Sequence, residues 1–248
     1  MARSRPQIPE LSKLGLSSQR TASGMLGSAR GQVSLQVYET LRQAILDCSL
    51  MPGMALSEQA VSDELQVSRA PVREAFRQLV VEGLLQSIPQ RGTLVALLSR
   101  ARIADAVFVR EVIECRAVEL AASAPLAQRR KLDAIVKRQA SATARKDYAT
   151  HLATDEDFHI QILTLAGHPH AWGPLRLART GMNRIRHLAI PELGSNKIAI
   201  DHHRAIVQAL LAGDGAAASA AMRVHIQSPL VFLDAIQAHC PQYFEVEG

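Results

Sequence analysis

Long apolar runs and paired cysteines are both missing from this sequence. Because no apolar run approaches the roughly 20 residues that cross a bilayer, we expect no membrane span. The three cysteines, Cys48, Cys115 and Cys240, lie far apart and lack the spacing of metal ligands, which favours reduced structural thiols. With 48% apolar residues among 248, the chain has enough apolar side chains for two packed domains. These features predict a cytoplasmic protein.

Residues 1–33 also lack apolar periodicity. They are rich in serine and glycine, contain no hydrophobic stretch of the kind found in signal peptides, and carry five basic residues against one acid. We therefore predict a disordered basic tail, which can add non-specific contacts to phosphate groups.

Residues 57–81 have the pattern of two helices joined by a tight turn. Ser57 can cap a short helix that ends near Leu65, and Ser68 can cap the helix that follows. Pro71 falls in the first turn of that second helix, where its missing N–H costs little. The spacing predicts a helix-turn-helix motif.

A wing and a preceding helix complete this motif. Residues 84–97 have the pattern of two short strands around a turn from Pro89 to Gly92. In front, a helical stretch over 37–50 has an apolar stripe at Val37, Leu41 and Ile45. Residues 34–98 therefore predict a winged helix-turn-helix domain.

Three arginines, Arg69, Arg73 and Arg77, follow one face of the second helix at intervals of four. The start of such a helix enters the major groove, where arginines pair with guanine or clamp phosphate. The alternative is a solvated face in which these arginines pair with Glu74 and Glu82. Since residues 34–99 hold five arginines against seven acids, affinity for DNA must come from placed arginines rather than from net charge. The predicted DNA-contacting residues are Ser68, Arg69, Arg73, Arg77, Arg91 and Gly92.

The run LSEQAVSDELQVSRAPVREAFRQLVVEGLL (56–85), followed by PQRG (89–92), resembles the DNA-binding domain of the GntR family of bacterial transcription regulators. Two residues depart from the family pattern. Ala70 replaces a hydroxyl residue that can contact DNA, and Gln66 replaces the turn glycine, so that a left-handed backbone there would be mildly strained.

The chain changes character from about residue 99 to the end. Glycine and proline become sparse inside six long apolar-periodic segments, over 101–123, 126–145, 147–167, 171–189, 196–212 and 215–238. No alternating strand pattern is present. We therefore predict that 99–248 is an all-α bundle of six to seven helices. The resemblance to GntR regulators implies that this part of the chain binds an effector and forms a dimer.

Polar residues occupy positions of this bundle that the helical pattern assigns to the core. Asp155 and His159 lie on one apolar stripe, His203 on that of Ile200, Val207 and Leu210, and His225 on that of Ala218 and Met222. Each histidine alone is more simply a hydrogen-bonded core residue. Together, one carboxylate and three neutral imidazoles suit a divalent transition metal, with zinc favoured and nickel, manganese or iron as alternatives.

The pattern DxxFH, a doubled histidine before an apolar helix and a further histidine 22 residues later resemble the FCD effector domain of the FadR subfamily of GntR proteins. That resemblance implies that Asp155, His159, His203 and His225 bind metal, whereas His202 stands where the family has an acidic residue. The remaining histidines are most simply exposed or in loops: His151, His168, His170, His187 and His239. It also implies that Arg110 lies beside the cavity, with Arg184 and Arg186 as weaker candidates. An inward arginine next to a metal favours a carboxylate effector; the alternative for Arg110 is a structural pair with Glu114 or Asp155.

These patterns together predict a ligand-responsive regulator, usually a repressor in this family, which acts as a homodimer on a palindromic double-stranded operator. Two alternatives remain from the sequence. The protein can be a metal sensor without an organic effector, or, because a bound metal can activate water, a metal-dependent hydrolase.

Overall fold

A computed structural model describes residues 28–89, 92–193 and 195–246, which form two compact units. The N-terminal unit extends to Ser99 and includes the chain again from Cys240, and the helical unit runs from Arg100 to His239. The disorder predicted for residues 1–27 and the contact predicted for Arg91 both lie outside the described residues.

The N-terminal unit is a winged helix-turn-helix, as the sequence predicts. Its elements are α1 (Ser28–Leu46), β1 (Ala55–Leu56), α2 (Glu58–Leu65), α3 (Arg69–Val81), β2 (Leu85–Ile88) and β3 (Gly92–Val95). The strands form an antiparallel sheet in the order β1, β3, β2, with Leu85 opposite Val95 and Ile88 opposite Gly92. The two-residue strand β1 has no alternating pattern of its own and was not predicted.

The core of this unit lies between α1 and the helix-turn-helix. The predicted stripe of Val37, Leu41 and Ile45 is no more than 1% exposed and belongs to one apolar cluster with Val72 and Leu79. Helix α1 begins at Ser28, so the predicted disordered tail is wrong for residues 28–33, which are helical.

The C-terminal segment corrects the predicted domain boundary, which assigned all of 99–248 to the helical domain. The Leu98 amide donates to the Tyr243 carbonyl (2.8 Å) and the Glu245 amide donates to the Leu98 carbonyl (2.9 Å). Leu98 and Phe244 are both buried at this bridge. Residues 240–246 therefore belong to the N-terminal unit.

The helical unit contains no strand among its described residues, in agreement with the predicted all-α bundle. Its elements are α4 (Arg100–Arg110), a π-helical turn (Glu111–Cys115), α5 (Arg116–Ala121), α6 (Leu126–Ala144), α7 (Tyr148–Leu165), a 3₁₀ turn (Pro169–Ala171), α8 (Trp172–Ala178), α9 (Thr180–Leu193), α10 (Ser195–Ala212), α11 (Gly215–Gln227), a 3₁₀ turn (Ser228–Phe232) and α12 (Leu233–His239). No described helix is both long and apolar enough to cross a membrane.

Three of the six predicted segments are interrupted. The first contains the π-helical turn, the fourth breaks at Arg179, and the last passes through a 3₁₀ turn at Pro229, which has no N–H to continue the helix. The predicted junction near residue 213 is confirmed, because Gly213 has φ of 74° and the Asp214 side chain accepts from the Ala217 amide at 2.9 Å.

Candidate functional site

The turn between α2 and α3 has the predicted form. Ser57 caps α2 by accepting from the Ala60 amide (3.1 Å), and Gln66 adopts the left-handed conformation with φ of 53°. Ser68 occupies the N-cap position of α3, but its hydroxyl makes no capping hydrogen bond. The exposed Ser68 side chain is thus available for a contact outside the protein.

The arginine stripe of α3 faces solvent. Arg69, Arg73 and Arg77 are exposed, while Val72 and Phe76 are buried in the core. Arg73 pairs with Glu58 (3.3 Å) and Arg77 with Glu74 (2.9 Å), and all four side chains are at least 29% exposed. Exposed ion pairs contribute little, about 0–1 kcal/mol, so these arginines can exchange a carboxylate for phosphate at low cost.

The alternative prediction, in which the arginines of this stripe pair with Glu74 and Glu82, is only partly right. Arg77 does pair with Glu74, but Glu82 accepts instead from Tyr38 and from Arg42 (3.2 Å), on the inner side of α1. Gly92, next to the turn that joins β2 and β3, is exposed and has φ of 87°, and an added Cβ would meet nothing within 4 Å. The backbone at the wing is therefore open to a close approach.

In the helical unit, three helices bring the four predicted metal ligands together. Asp155 and His159 come from α7, His203 from α10 and His225 from α11, and each is no more than 1% exposed. One ligand atom from each lies within 4.8 Å of the others. The helical phase read from the sequence thus places all four side chains inward, as predicted.

The ring nitrogens of this cluster divide into two groups. On the outer side, His203 Nδ1 donates to Gln139 Oε1 (2.8 Å), and His159 Nδ1 contacts the Glu114 carboxylate. On the inner side, Nε2 of both rings has no hydrogen-bond partner among the described residues and lies 3.6 and 3.9 Å from Asp155 oxygens, for His203 and His159 respectively. His225 Nδ1 is likewise unpartnered.

This arrangement fits a transition metal ion. Three imidazole nitrogens and one carboxylate oxygen are a donor set that zinc and its neighbours accept, and buried nitrogens without partners are costly unless an ion satisfies them. Metal-binding histidines characteristically use their second nitrogen to bond a carboxylate or amide, as His159 and His203 do here. Gln139 also donates to Asp155 Oδ1 at 3.4 Å, so one amide orients two ligands.

Burial keeps the three imidazoles neutral. It is the main reason that the pKa of His159 falls to about 4, with the charge of Arg179 second, and it also holds the pKa of His203 and His225 well below 6.5. Burial alone would raise the pKa of Asp155, but Arg186 and Arg179 outweigh it and keep that pKa well below 3.8. At neutral pH the cluster therefore presents the protonation states that bind metal.

Buried arginines surround the two carboxylates, and sequence reasoning found only some of them. Asp155 accepts from Arg179 and from Arg186 Nη1 (2.7 Å). Arg186 also approaches His225 Nε2 at 3.4 Å. Arg110 Nε donates to Glu114 at 2.6 Å, which is the ion pair that the sequence left open as its structural alternative.

Arg184, the predicted effector residue of α9, is buried, but the residue that reaches Asp155 is Arg186, two positions further along. Arg179 was not predicted, because it lies at the break between α8 and α9 where no periodic pattern marks it. Burial lowers the pKa of Arg110 to about 10 despite the opposing charge of Glu114, so this guanidinium stays charged at neutral pH.

The π-helical turn determines where Arg110 and Glu114 point. Such a turn inserts one extra residue into a helix and occurs often at functional sites. Here Arg110 ends α4 and Glu114 lies inside the turn, and both side chains are buried. The prediction from the sequence was an unbroken helix over 101–123, and it missed this turn.

Two histidines that were expected to be exposed or in loops lie inside the unit. His151 is 2% exposed on α7, its Nδ1 is 2.8 Å from Thr143 Oγ1, and burial lowers its pKa. With Arg186, Asn196 and Ser228 it lines a small cavity that is partly open to solvent. His187 is half-buried on α9, whereas His168, His170 and His239 are exposed as expected.

Two family models match this chain. The model described as bacterial regulatory proteins, gntR family, matches residues 33–95, and the FCD domain model matches residues 105–228. The matches coincide with the N-terminal unit and with most of the helical unit.

Curated relatives are similar over most of their length. An HTH-type transcriptional regulator in an unstable DNA locus of Streptomyces ambofaciens is 34% identical over 216 residues, which cover 86% of this chain and 89% of that protein. The HTH-type transcriptional repressor RspR of Escherichia coli K12 is 34% identical over 196 residues, or 79% and 86% of the two chains. The solved structure of E. coli McbR/YncC shares the fold, with a TM-score of 0.71 at 20% identity over 82% of this chain and 97% of that one.

Proposed function

The chain belongs to the gntR family of bacterial regulatory proteins and contains an FCD domain, and from this premise we propose that it is a ligand-responsive repressor that binds a divalent metal and a small organic acid. Its family and relatives are transcription regulators, not enzymes, which argues against the hydrolase alternative. The observation that carries the proposal is the buried cluster of one aspartate and three histidines, with unpartnered nitrogens that face one another.

DNA recognition is assigned to α3 and the wing. The exposed arginines of α3 are held only by weak ion pairs, and the start of the helix is free of bulky side chains at Ser68 and Ala70. We expect Arg69 and Arg73 to contact base edges, Ser68 and Arg77 phosphates, and Arg91 with Gly92 the backbone or minor groove. A DNA-binding regulator acts where the chromosome is, which places this one in the cytoplasm.

Zinc is the favoured ion for the cluster, because three nitrogens and one carboxylate oxygen match its tetrahedral preference. Nickel, manganese and iron accept the same donors. The effector is assigned to the arginines beside the cluster, above all Arg110, which can hold a carboxylate in a bidentate pair.

An exposed apolar surface supports assembly as a homodimer. Phe108 and Val112 on the first helical segment are 70% and 59% exposed, and Val224 on α11 is 55% exposed. Glu111 joins the two segments by accepting from Arg223 (2.7 Å). A patch with large apolar side chains and charges of both signs can pair with a second copy of itself about a two-fold axis, which also matches a palindromic operator.

Regulation would follow from differential binding. If metal and acid bind more tightly to one arrangement of the two DNA-binding units in the dimer, they increase the population of that arrangement. The operator affinity then changes by the coupling free energy between ligand binding and DNA binding. A regulator that senses the metal alone is the second candidate, since the cluster by itself satisfies the ion.

Operator binding under defined ligands tests this proposal. Chelator-treated protein, zinc-loaded protein, and zinc-loaded protein with short carboxylic acids should be titrated into labelled operator DNA. A carboxylate that changes the affinity only of the zinc-loaded form supports the organic effector. A response to zinc alone, which no acid changes, favours the metal sensor, and no response to either contradicts both.

The DNA assignment has its own test. Arg69→Ala and Arg73→Ala should each lose about 1–3 kcal/mol of operator affinity without loss of the dimer. Arg204→Ala removes a similarly exposed arginine from α10 and serves as the control. Unchanged operator affinity in both α3 variants would show that α3 does not recognise DNA.

A further inference from the structure

The buried charges around the metal cluster do not balance. Arg110, Arg179 and Arg186 are all at most 7% exposed, and the carboxylates that they share are those of Glu114 and Asp155. Among the residues of the helical unit whose side chains the structure describes, which leave out 189–195, no other carboxylate is buried. The imidazoles of the cluster are neutral, so they add no compensating charge, and a bound divalent ion would increase the positive excess.

Two of these guanidinium groups have nitrogens with no hydrogen-bond partner among the residues that the structure describes. Arg110 uses Nε for Glu114, and its Nη1 and Nη2 are unpartnered. Arg179 uses Nη2 for Asp155, and its Nε and Nη1 are unpartnered. A buried guanidinium with unsatisfied donors is costly, and a carboxylate that accepts two parallel N–H bonds is the chemistry that satisfies it.

The two groups are neighbours. Arg110 Nε and Arg179 Nη1 lie 2.6 and 3.9 Å from the two oxygens of the same Glu114 carboxylate. Arg179 also stacks over Trp172, with its central carbon 5.6 Å from the ring centroid, so the position of its guanidinium is restrained. A single ligand can therefore satisfy both arginines if its two anionic groups are joined by a short chain.

We infer that the effector is a short dicarboxylate, or a tricarboxylate that contains one, with one carboxylate for Arg110 and a second for Arg179. This inference rests on the proposed function, because it uses the same site, and it adds the number and separation of the charges. A monocarboxylate would satisfy the free donors of one guanidinium and leave those of the other buried without an acceptor, so the site selects against it.

Matched pairs of ligands measure this selectivity. Malonate, succinate and glutarate should each be compared with its own monoamide by calorimetry and thermal shift, on zinc-loaded and on chelator-treated protein. Each monoamide has nearly the size of its diacid and one charge fewer. At least one diacid should bind ten or more times more tightly than its monoamide, which is about 1.4 kcal/mol.

Variants locate the second carboxylate. Arg179→Gln should reduce the ratio between diacid and monoamide to near one, while Arg179→Lys, which keeps the charge but not the fork, should restore part of it. Arg204→Gln, on the exposed face of α10, should leave the ratio unchanged. Because Arg179 also holds Asp155, circular dichroism and the unfolding temperature should confirm that each variant folds; the lysine variant keeps the test valid if the glutamine variant does not.

Each outcome decides the inference. Equal affinity for diacids and monoamides, or a ratio that survives in Arg179→Gln, overturns it while the organic-acid regulator itself stands. Failure of every diacid to bind also overturns it, and zinc-dependent operator binding in the same preparation then shows whether the proposed regulator survives.

Discussion

Replacement of His203 by alanine tests the metal site with an adjacent residue as its control. The His203 ring is fully buried, stacks on Phe158 with ring centroids 4.0 Å apart, and places Nε2 3.6 Å from Asp155 Oδ1. His202 is half-buried, and its ring lies 6.1 Å from that of His225, outside the group of four. Only His203→Ala therefore removes a proposed ligand.

The expected loss of stability in His203→Ala is the sum of two contributions, the lost metal binding and a broken hydrogen bond. Loss of a residue that only orients a metal ligand can weaken metal binding by roughly 100-fold. Removal of the ligand itself should weaken metal binding by at least as much. An ion at about 100 times its Kd stabilises the folded state by about 2.7 kcal/mol, and a 100-fold weaker site keeps only about 0.4 kcal/mol of that. Loss of the His203 donor also leaves the buried Gln139 oxygen unpaired, at about 1–3 kcal/mol. We expect the helical unit to lose roughly 3–5 kcal/mol in total.

Elemental analysis after dialysis against trace zinc, followed by thermal unfolding with and without chelator, measures both effects. The parent protein and His202→Ala should hold about one ion per chain, and His203→Ala should hold little and no longer respond to chelator. Full metal content in His203→Ala, or loss in His202→Ala alone, would mean that α10 is rotated from the position described and that the ligand set is wrong.

Four further outcomes are expected. Gln139→Leu should keep all four ligands but weaken zinc binding about 10–100-fold, because His203 and Asp155 lose their orienting amide; unchanged affinity in a zinc competition assay would contradict this role. Gln66→Gly should raise the free energy of unfolding of the N-terminal unit by about 0.5–1 kcal/mol in denaturant titrations, because glycine adopts φ of 53° without strain; a decrease would show that the Gln66 side chain stabilises the turn. Phe108→Asp should convert dimer to monomer in light scattering, whereas Tyr148→Asp, at a 39% exposed position on α7, should not. In the presence of chelator, the pKa of His159 is about 4 in the folded protein and about 6.5 in the unfolded chain, so the unfolded chain binds the proton first as the pH falls. Roughly 3 kcal/mol of stability should therefore be present above pH 6.5 and be lost as the pH falls towards 4. A flat unfolding temperature over that range would contradict this expectation.

Local patterns in the sequence were sufficient for the helix-turn-helix with its two-stranded wing and for the inward direction of the four proposed ligands. The cap at Ser57, the left-handed turn at Gln66 and the stripe of Val37, Leu41 and Ile45 involve residues close together in the chain, and the structure has all of them. The choice of His203 over His202 needed only the phase of one helix, since 100° of rotation per residue separates a buried from a half-exposed side chain.

Contacts between distant segments were decided by the tertiary structure alone. Gln139, Glu114 and Arg179 lie 16, 41 and 24 positions from Asp155 in the sequence, and only the packing of α6, the π-helical turn and the break before α9 brings them to one cluster. A buried arginine and an exposed one look the same in a hydropathy pattern. The sequence by itself therefore determined which polar residues point into the core of the helical unit. Only the folded chain decided which charges meet there, because the cost of burying a charge depends on partners that helical periodicity does not encode.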